Sequence, residues 1–378
     1  MIAATTRHRL AGLGLTSVDH PGRTEAFTST LPIWVGALAA LGIVWFLLPS
    51  FYVYLSVLVV FACIGATGLN LLMGSAGLVS IGNAGFMAVG AFAAVWGYRA
   101  GGLLVALVAA AAASGVAGFL VGAVSMRLRG FYLVLSTLAL QYVVAFVGQE
   151  IEQHTNHPAG FELPLPSLGF FQLQSDRHWF LFGLALLVAQ LLIVHFVMRG
   201  RVGRGFLAIR EYENAASVAG VNVPFYKLLA FTVSSAMIGV GGAVLAFYIG
   251  NVDYANYTLD VAVSYAAMVL IGGLGSKYGP LLGAVLITPL PALLAQIGGA
   301  NQGGLLSQDA SSIELLLYGL LIVAIVLIEP GGLAVFVRRV YEAFSSRGRP
   351  RELHVLGRQL PANGGAEVAE QGLDVENG

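Results

Sequence analysis

"RVGRGFLAIREYENAASVAG", residues 201–220, lies between the apolar runs 179–199 and 225–250. It gathers Arg201, Arg204, Arg210, Glu211 and Glu213 in a chain where only 10% of residues are charged. Runs near 20 apolar residues are long enough to cross the roughly 30 Å of bilayer hydrocarbon. A polar, helix-forming insert between two such runs reads as a segment that leaves the bilayer, and its side of the membrane orients every span around it.

The composition supports that frame. Of 378 residues, 57% are hydrophobic and 49 are glycine, and the mean hydropathy is +0.82. The chain reads as an integral membrane protein crossing the bilayer many times. Nineteen basic and nineteen acidic residues cancel, so net charge points to no nucleic acid and only its distribution is informative. The lone cysteine, Cys63, sits in an apolar run and reads as a small packed hydrophobe.

Breaks at proline, glycine and charge mark ten candidate spans: 31–49, 51–73, 77–98, 102–126, 131–149, 179–199, 225–250, 261–275, 279–298 and 313–330. Strict two-residue alternation is missing, so helices satisfy the backbone in lipid and a barrel is disfavoured. The fold class is an all-α polytopic membrane protein of about ten transmembrane helices. The spans near 77–98 and 261–275 read as broken or re-entrant.

Basic residues in short loops stay cytoplasmic. With the N-terminus inside, Arg127, Arg129, Arg199, Arg201, Arg204, Arg210, Lys277, Arg338 and Arg339 all fall inside, while Arg99 and Arg177 fall outside. Both termini are therefore expected in the cytoplasm. The domains follow as a cytoplasmic tail 1–30, without a cleaved signal peptide, and a transmembrane domain 31–335. That domain carries an outer loop 150–178 and a cytoplasmic loop 200–224, and a disordered cytoplasmic tail 336–378 follows it. The prolines and glycines of the outer loop predict a turn region or short hairpin. Its His154 and His157 lack further well-spaced donors, so no metal site is expected.

Within the insert, Phe206, Ile209, Tyr212, Ala216 and Ala219 recur every three or four residues, predicting one amphipathic helix over 206–219. Gly220 fits just past its C-terminus and Pro224 forbids continuation. Such a helix either rests in the headgroup layer or docks into a groove of a cytoplasmic partner. Its alanine-rich apolar face and mixed charges suit docking.

Glycine is dense at Gly65, Gly68, Gly74, Gly77, Gly82, Gly85 and Gly90, and again at Gly272, Gly273, Gly275, Gly279 and Gly283. Close helix packing is one explanation. Interrupted helices lining a polar path are the other. The stretch "GSAGLVSIGNAG" sets Ser75, Ser80 and Asn83 among glycines, where helix ends suit a zwitterionic solute. Ser136, Thr137 and Gln141 of the fifth span are further candidates for the path.

No Asp, Glu, Lys or Arg sits near the middle of a candidate span, and Lys227 lies at a cytoplasmic edge. A proton relay needs a titratable group in its path, so proton coupling is disfavoured. Nor does the sequence hold a catalytic constellation. "GGLGSKYG" misses the spacing of a phosphate-binding loop, with Ser276 before Lys277 and Tyr278 after it.

The run Glu213–Gly220, "ENAASVAG", resembles the E-x-A-A-x-x-x-G signature of ABC importer permeases. "GLNLLMGSAGLVSIGNAGFMAVGAF", "GFYLVLSTLAL", "GRGFLAIREYENAASVAGVNVPFYKLLAFTVSSAMIGVGGAVLAFY", "YAAMVLIGGLGSKYGPLLGAVLI" and "IEPGGLA" are similar, in order, to the branched-chain amino acid permeases, and the outer loop favours the LivM type. The likeness spans residues 51–335. Thr155, Asn156, His157 and Pro158 replace the family's Thr-Gly-Gly-like run, and Gly331 stands where arginine is common.

The resemblance implies a permease subunit in a bacterial inner membrane, taking a branched-chain amino acid as substrate. Its implied partners are a LivH-type second permease, two ABC ATPase subunits and an extracytoplasmic solute-binding protein. ATP and magnesium would be held by the ATPases, leaving no cofactor in this chain. It further implies that Arg210, Glu211, Glu213, Ala215, Ala216 and Gly220 couple to an ATPase. Urea and short-amide importers share the pattern, and an ATPase-independent carrier or channel is the alternative from another class.

Overall fold

The computed structural model describes residues 49–126, 128, 130–155, 160–164, 166–168, 171–292, 319, 320 and 333. The spans expected over 31–49 and 313–330 lie almost wholly outside these residues, as do the segments 1–30 and 336–378. The elements are α1 (Ser50–Asn70), α2 (Asn83–Ser125), α3 (Phe131–His154), α4 (Asp176–Arg199), α5 (Arg201–Glu211), α6 (Glu213–Val218), α7 (Val223–Ile249), α8 (Leu259–Gly272) and α9 (Gly279–Ile287). Among the described residues, six helical stretches are long and apolar enough to cross a membrane.

The chain punctuates these helices with glycine. Helix α1 runs into a buried π-helical turn, Leu71–Ser75, and then leaves helical geometry until Asn83. The third span is thus broken at its start, and it begins at Asn83, six residues later than the sequence suggested. Helix α2 covers the third and fourth spans as two arms, folded at Gly101 and Gly102. Gly102 has φ +80°, a conformation that favours glycine. The arms return against each other: Ser114 Oγ donates to the Phe86 carbonyl at 2.9 Å, and Gly97 faces Ala106 and Ala109.

Helix α7 is the central post. It crosses the first arm of α2 where Gly90 meets the Gly239 backbone and Gly242 meets the Met87 backbone. It also follows the second arm, through Gly118 on Ser235 and Gly122 on Phe231 and Leu228. On its other side Gly68 of α1 faces Ile238, while Gly65 accommodates the Tyr265 ring of α8. At these positions a Cβ would collide with its neighbour, or at Gly122 press tightly on it, so the small residues serve backbone approach, the means by which helices associate in lipid.

Outward, Val108, Leu120, Phe131, Phe146 and Phe196 are exposed. Large apolar groups on the rim of a spanning bundle face lipid or another membrane subunit. The outer connection forms two short antiparallel pairs: β1 (Phe161–Glu162) with β4 (Asn251–Val252), and β2 (Ser167–Leu168) with β3 (Phe171–Gln172). Phe161 stacks edge-on against Phe92 at 6.2 Å, tying this cap to α2.

Candidate coupling surface and solute path

Residues 200–220 form two helices where the sequence predicted one. Gly200 separates α4 from α5. A second break falls at Tyr212, whose backbone (φ −152°, ψ 98°) is extended. The periodic pattern assumed an unbroken helix, so it misplaced Tyr212 and Ala219 on the inner face. Both are exposed, Tyr212 to 75%. Phe206 is buried in the main core beside Tyr226. Ile209 and Ala216 join Val223 in a small separate cluster.

Helix α6 ends as the sequence indicated. Gly220 has φ +84°, its amide donates to the Ser217 carbonyl, and the Val221 amide donates to the Ala216 carbonyl. This double closure is the Schellman motif, which satisfies carbonyls that a helix end leaves open. At its other end Glu213 Oε1 accepts from Lys227 Nζ at 2.8 Å. Glu213 therefore points back into the chain, toward α7.

Of the six residues assigned to coupling, Ala216 is buried and Glu213 is half-buried, whereas Arg210, Glu211, Ala215 and Gly220 are exposed. Val218, which sequence reasoning passed over, is 90% exposed. The outward surface of α5 and α6 thus combines Glu211, Tyr212, Ala215, Val218 and Ala219. Of these, the exposed Tyr212 is of the residue type enriched at docking surfaces.

Arg210 joins this segment to two glycine turns. Its stem lies against Gly77 and its guanidinium against Gly275, which have φ +71° and +76°. The same turns are clasped by Asn70 at the end of α1: Nδ2 donates to the Ser276 carbonyl at 3.0 Å, and Oδ1 accepts from the Gly275 amide at 2.9 Å. Asn70 was missed in the sequence, although it stands inside the quoted "GLNLLMG" stretch. A lone asparagine at the end of an apolar run gives no sign of a partner some two hundred positions later.

The path candidates separate into two kinds. Thr137 Oγ1 accepts from the Ile81 amide at 3.2 Å, and Gln141 Oε1 accepts from the Gly85 amide while its Nε2 donates to the Tyr257 carbonyl at 2.7 Å. These two clamp α3 onto the broken start of α2. Among the described residues Ser136 bonds back to the Leu133 carbonyl alone. Ser80 accepts from the Gly82 amide at 3.4 Å and Ser75 is buried in the π-helical turn. Asn83, first residue of α2, is 1% exposed, and both its side-chain polar atoms lack a partner among the described residues. Buried amides without partners are rare and costly.

A bundle of glycine-packed apolar helices with a charged segment projecting from it defines a polytopic membrane protein. Residues 51–326 match the family described as the permease component of the branched-chain amino acid transport system, and the chain belongs to that family. It is 30% identical over 356 residues to the high-affinity branched-chain amino acid transport permease LivM of Escherichia coli, covering 86% of this chain and 81% of that one. A probable LivM of Methanocaldococcus jannaschii is 26% identical, over 60% of this chain and 68% of its own length. The autoinducer 2 import permease LsrC of Salmonella typhimurium is 29% identical over 47% of this chain and 52% of its own. No solved structure matches the chain. The family places the chain in the bacterial inner membrane as a transport subunit.

Proposed function

We propose that this chain forms, with a second LivH-type permease, the path of an ABC importer for branched-chain amino acids. Two ATPase subunits work from the cytoplasm and a solute-binding protein delivers the substrate outside. The chain crosses the membrane about ten times with both termini in the cytoplasm, the arrangement that keeps its basic loops inside. ATP and magnesium belong to the ATPases. Family membership over residues 51–326 carries this assignment.

In mechanism, nucleotide-driven closure of the ATPases moves the docked segment 201–220. The bundle responds by changing the relative stability of its inward- and outward-facing states. Arg210, Glu211, Ala215, Ala216 and Gly220 shape the docked segment, with Tyr212 and Val218 as its exposed anchors. The break between α1 and α2 lies on the solute path, where Ser75, Ser80 and Asn83 offer polar groups beside a helix N-terminus suited to a carboxylate. Asn83 supports this assignment most strongly, because its buried amide has no hydrogen-bond partner among the described residues. Thr137 and Gln141 hold that break in place, and Ser136 completes the polar face of α3.

Expressing the chain with its partner subunits tests the proposal. The importer predicts co-purification with a nucleotide-binding subunit and ATP-dependent uptake of labelled leucine that urea and short amides do not displace. Uptake displaced equally by urea would contradict the solute. Replacing Asn83 with leucine is expected to weaken solute uptake while leaving the assembly intact.

A further inference from the structure

Lys227 lies in the first turns of α7 with its side chain only 2% exposed. An ammonium withdrawn from water is unfavourable unless paired and hydrogen-bonded. Its neighbour is Glu213 Oε1 at 2.8 Å, on the first residue of α6. Glu213 is itself 26% exposed, so the pair sits at the boundary between the helical core and the solvent-facing segment.

The surroundings of α6 give that bond mechanical meaning. Helix α6 is short, entered through the extended Tyr212 and left through the left-handed Gly220. Both ends are therefore points where the chain can turn. Its apolar attachment to α5 and α7 is small, chiefly Ala216 with Ile209 of α5 and Val223 of α7, and apolar contact is non-directional. The ion pair supplies direction: displacing α6 away from α7 would strand a buried charge. Helix α7 then passes backbone-to-backbone across α2 at Gly239 on Gly90 and at Gly242 on Met87. Close-packed interfaces of this kind transmit displacement and do not absorb it.

We infer that Lys227 is a positioning residue that locks α6 to α7 through Glu213, so that the docked helix and the central membrane helix move as one unit. This rests on the importer assignment above. Glu213 is thereby used inside the chain, and recognition of the ATPase falls to the exposed residues around it.

The test uses the complete importer, this chain with its partner subunits, in proteoliposomes, and reads ATP hydrolysed per leucine imported. Lys227→Met should co-purify with the ATPases as the parent does yet raise that ratio by about tenfold or more, the consequence of a stranded charge. Lys227→Arg, which keeps the cation, should stay within about threefold of the parent. The reversed pair Lys227→Glu with Glu213→Lys should recover much of the coupling that either single reversal loses. A parental ratio in Lys227→Met overturns the inference, and so does a reversed pair no better than its single members. If Lys227→Met fails to assemble and the reversed pair restores yield without ever shifting the ratio, the pair is a folding element and the inference also falls. A parental assembly that shows no ATP-dependent uptake overturns the importer itself, and this role with it.

Discussion

At the scale of single residues, neighbouring polar groups in one helix carry different loads. Gln141 satisfies the Gly85 amide and the Tyr257 carbonyl from inside the bundle. Gln141→Ala removes both bonds and leaves buried groups unmet, at about 1–3 kcal/mol each. A lower thermal unfolding midpoint in detergent is the expected readout. Among the described residues Ser136→Ala gives up a bond to its own preceding turn, and stability should change by no more than about 0.5 kcal/mol, leaving the midpoint near that of the parent. Gly220 is a different case: nothing among the described residues lies within 4 Å of the Cβ position, so its cost is conformational and set by φ +84°. Gly220→Val should therefore disrupt the end of α6 and abolish ATP-driven uptake while membrane insertion continues. Gly220→Asn, which tolerates the left-handed region, should retain uptake. Equal uptake by both variants would show that the turn is not needed.

At the scale of elements, the segment 201–220 has an inner and an outer side that its sequence only half disclosed. The inward Phe206, Ile209 and Ala216 follow the three-and-four periodicity, and the glycine stop at 220 was readable from its position. The break at Tyr212 was not readable, because no glycine or proline marks it. Nor was the internal pairing of Glu213, since an ion pair between residues on different helices leaves no local pattern. Tyr212→Ala and Val218→Ser expose no core, so stability should hold while co-purification of the ATPase weakens. Retention of the ATPase by the double variant would move the docking surface elsewhere. Between α2 and α7 the opposite holds. Gly239→Leu drives a side chain into Ser114 and the Ala110 carbonyl. Overpacking of this sort costs roughly 1–3 kcal/mol or more, and reduced yield of folded protein in detergent is the sign to look for.

For the whole molecule, hydropathy and glycine breaks located α1, both arms of α2, α3, α4 and α7 with ends up to about six residues off, because the bilayer demands long, apolar, internally bonded segments. The purpose of many glycines was harder to infer. At Gly65, Gly68, Gly90, Gly239 and Gly242 they permit contact between helices, and at Gly77 and Gly275 they receive Arg210. Contacts between segments far apart in sequence, such as Asn70 with Ser276, carry no periodic trace. What links these observations is continuity: exposed segment, ion pair, central helix and broken helix form one packed sequence from the exposed surface to the bundle interior. The most direct test of that account is uptake of labelled leucine by proteoliposomes holding this chain with its permease, ATPase and solute-binding partners. Uptake that requires ATP and disappears when the ATPases are omitted is the predicted result. Leucine transport by this chain alone, indifferent to nucleotide, would contradict it.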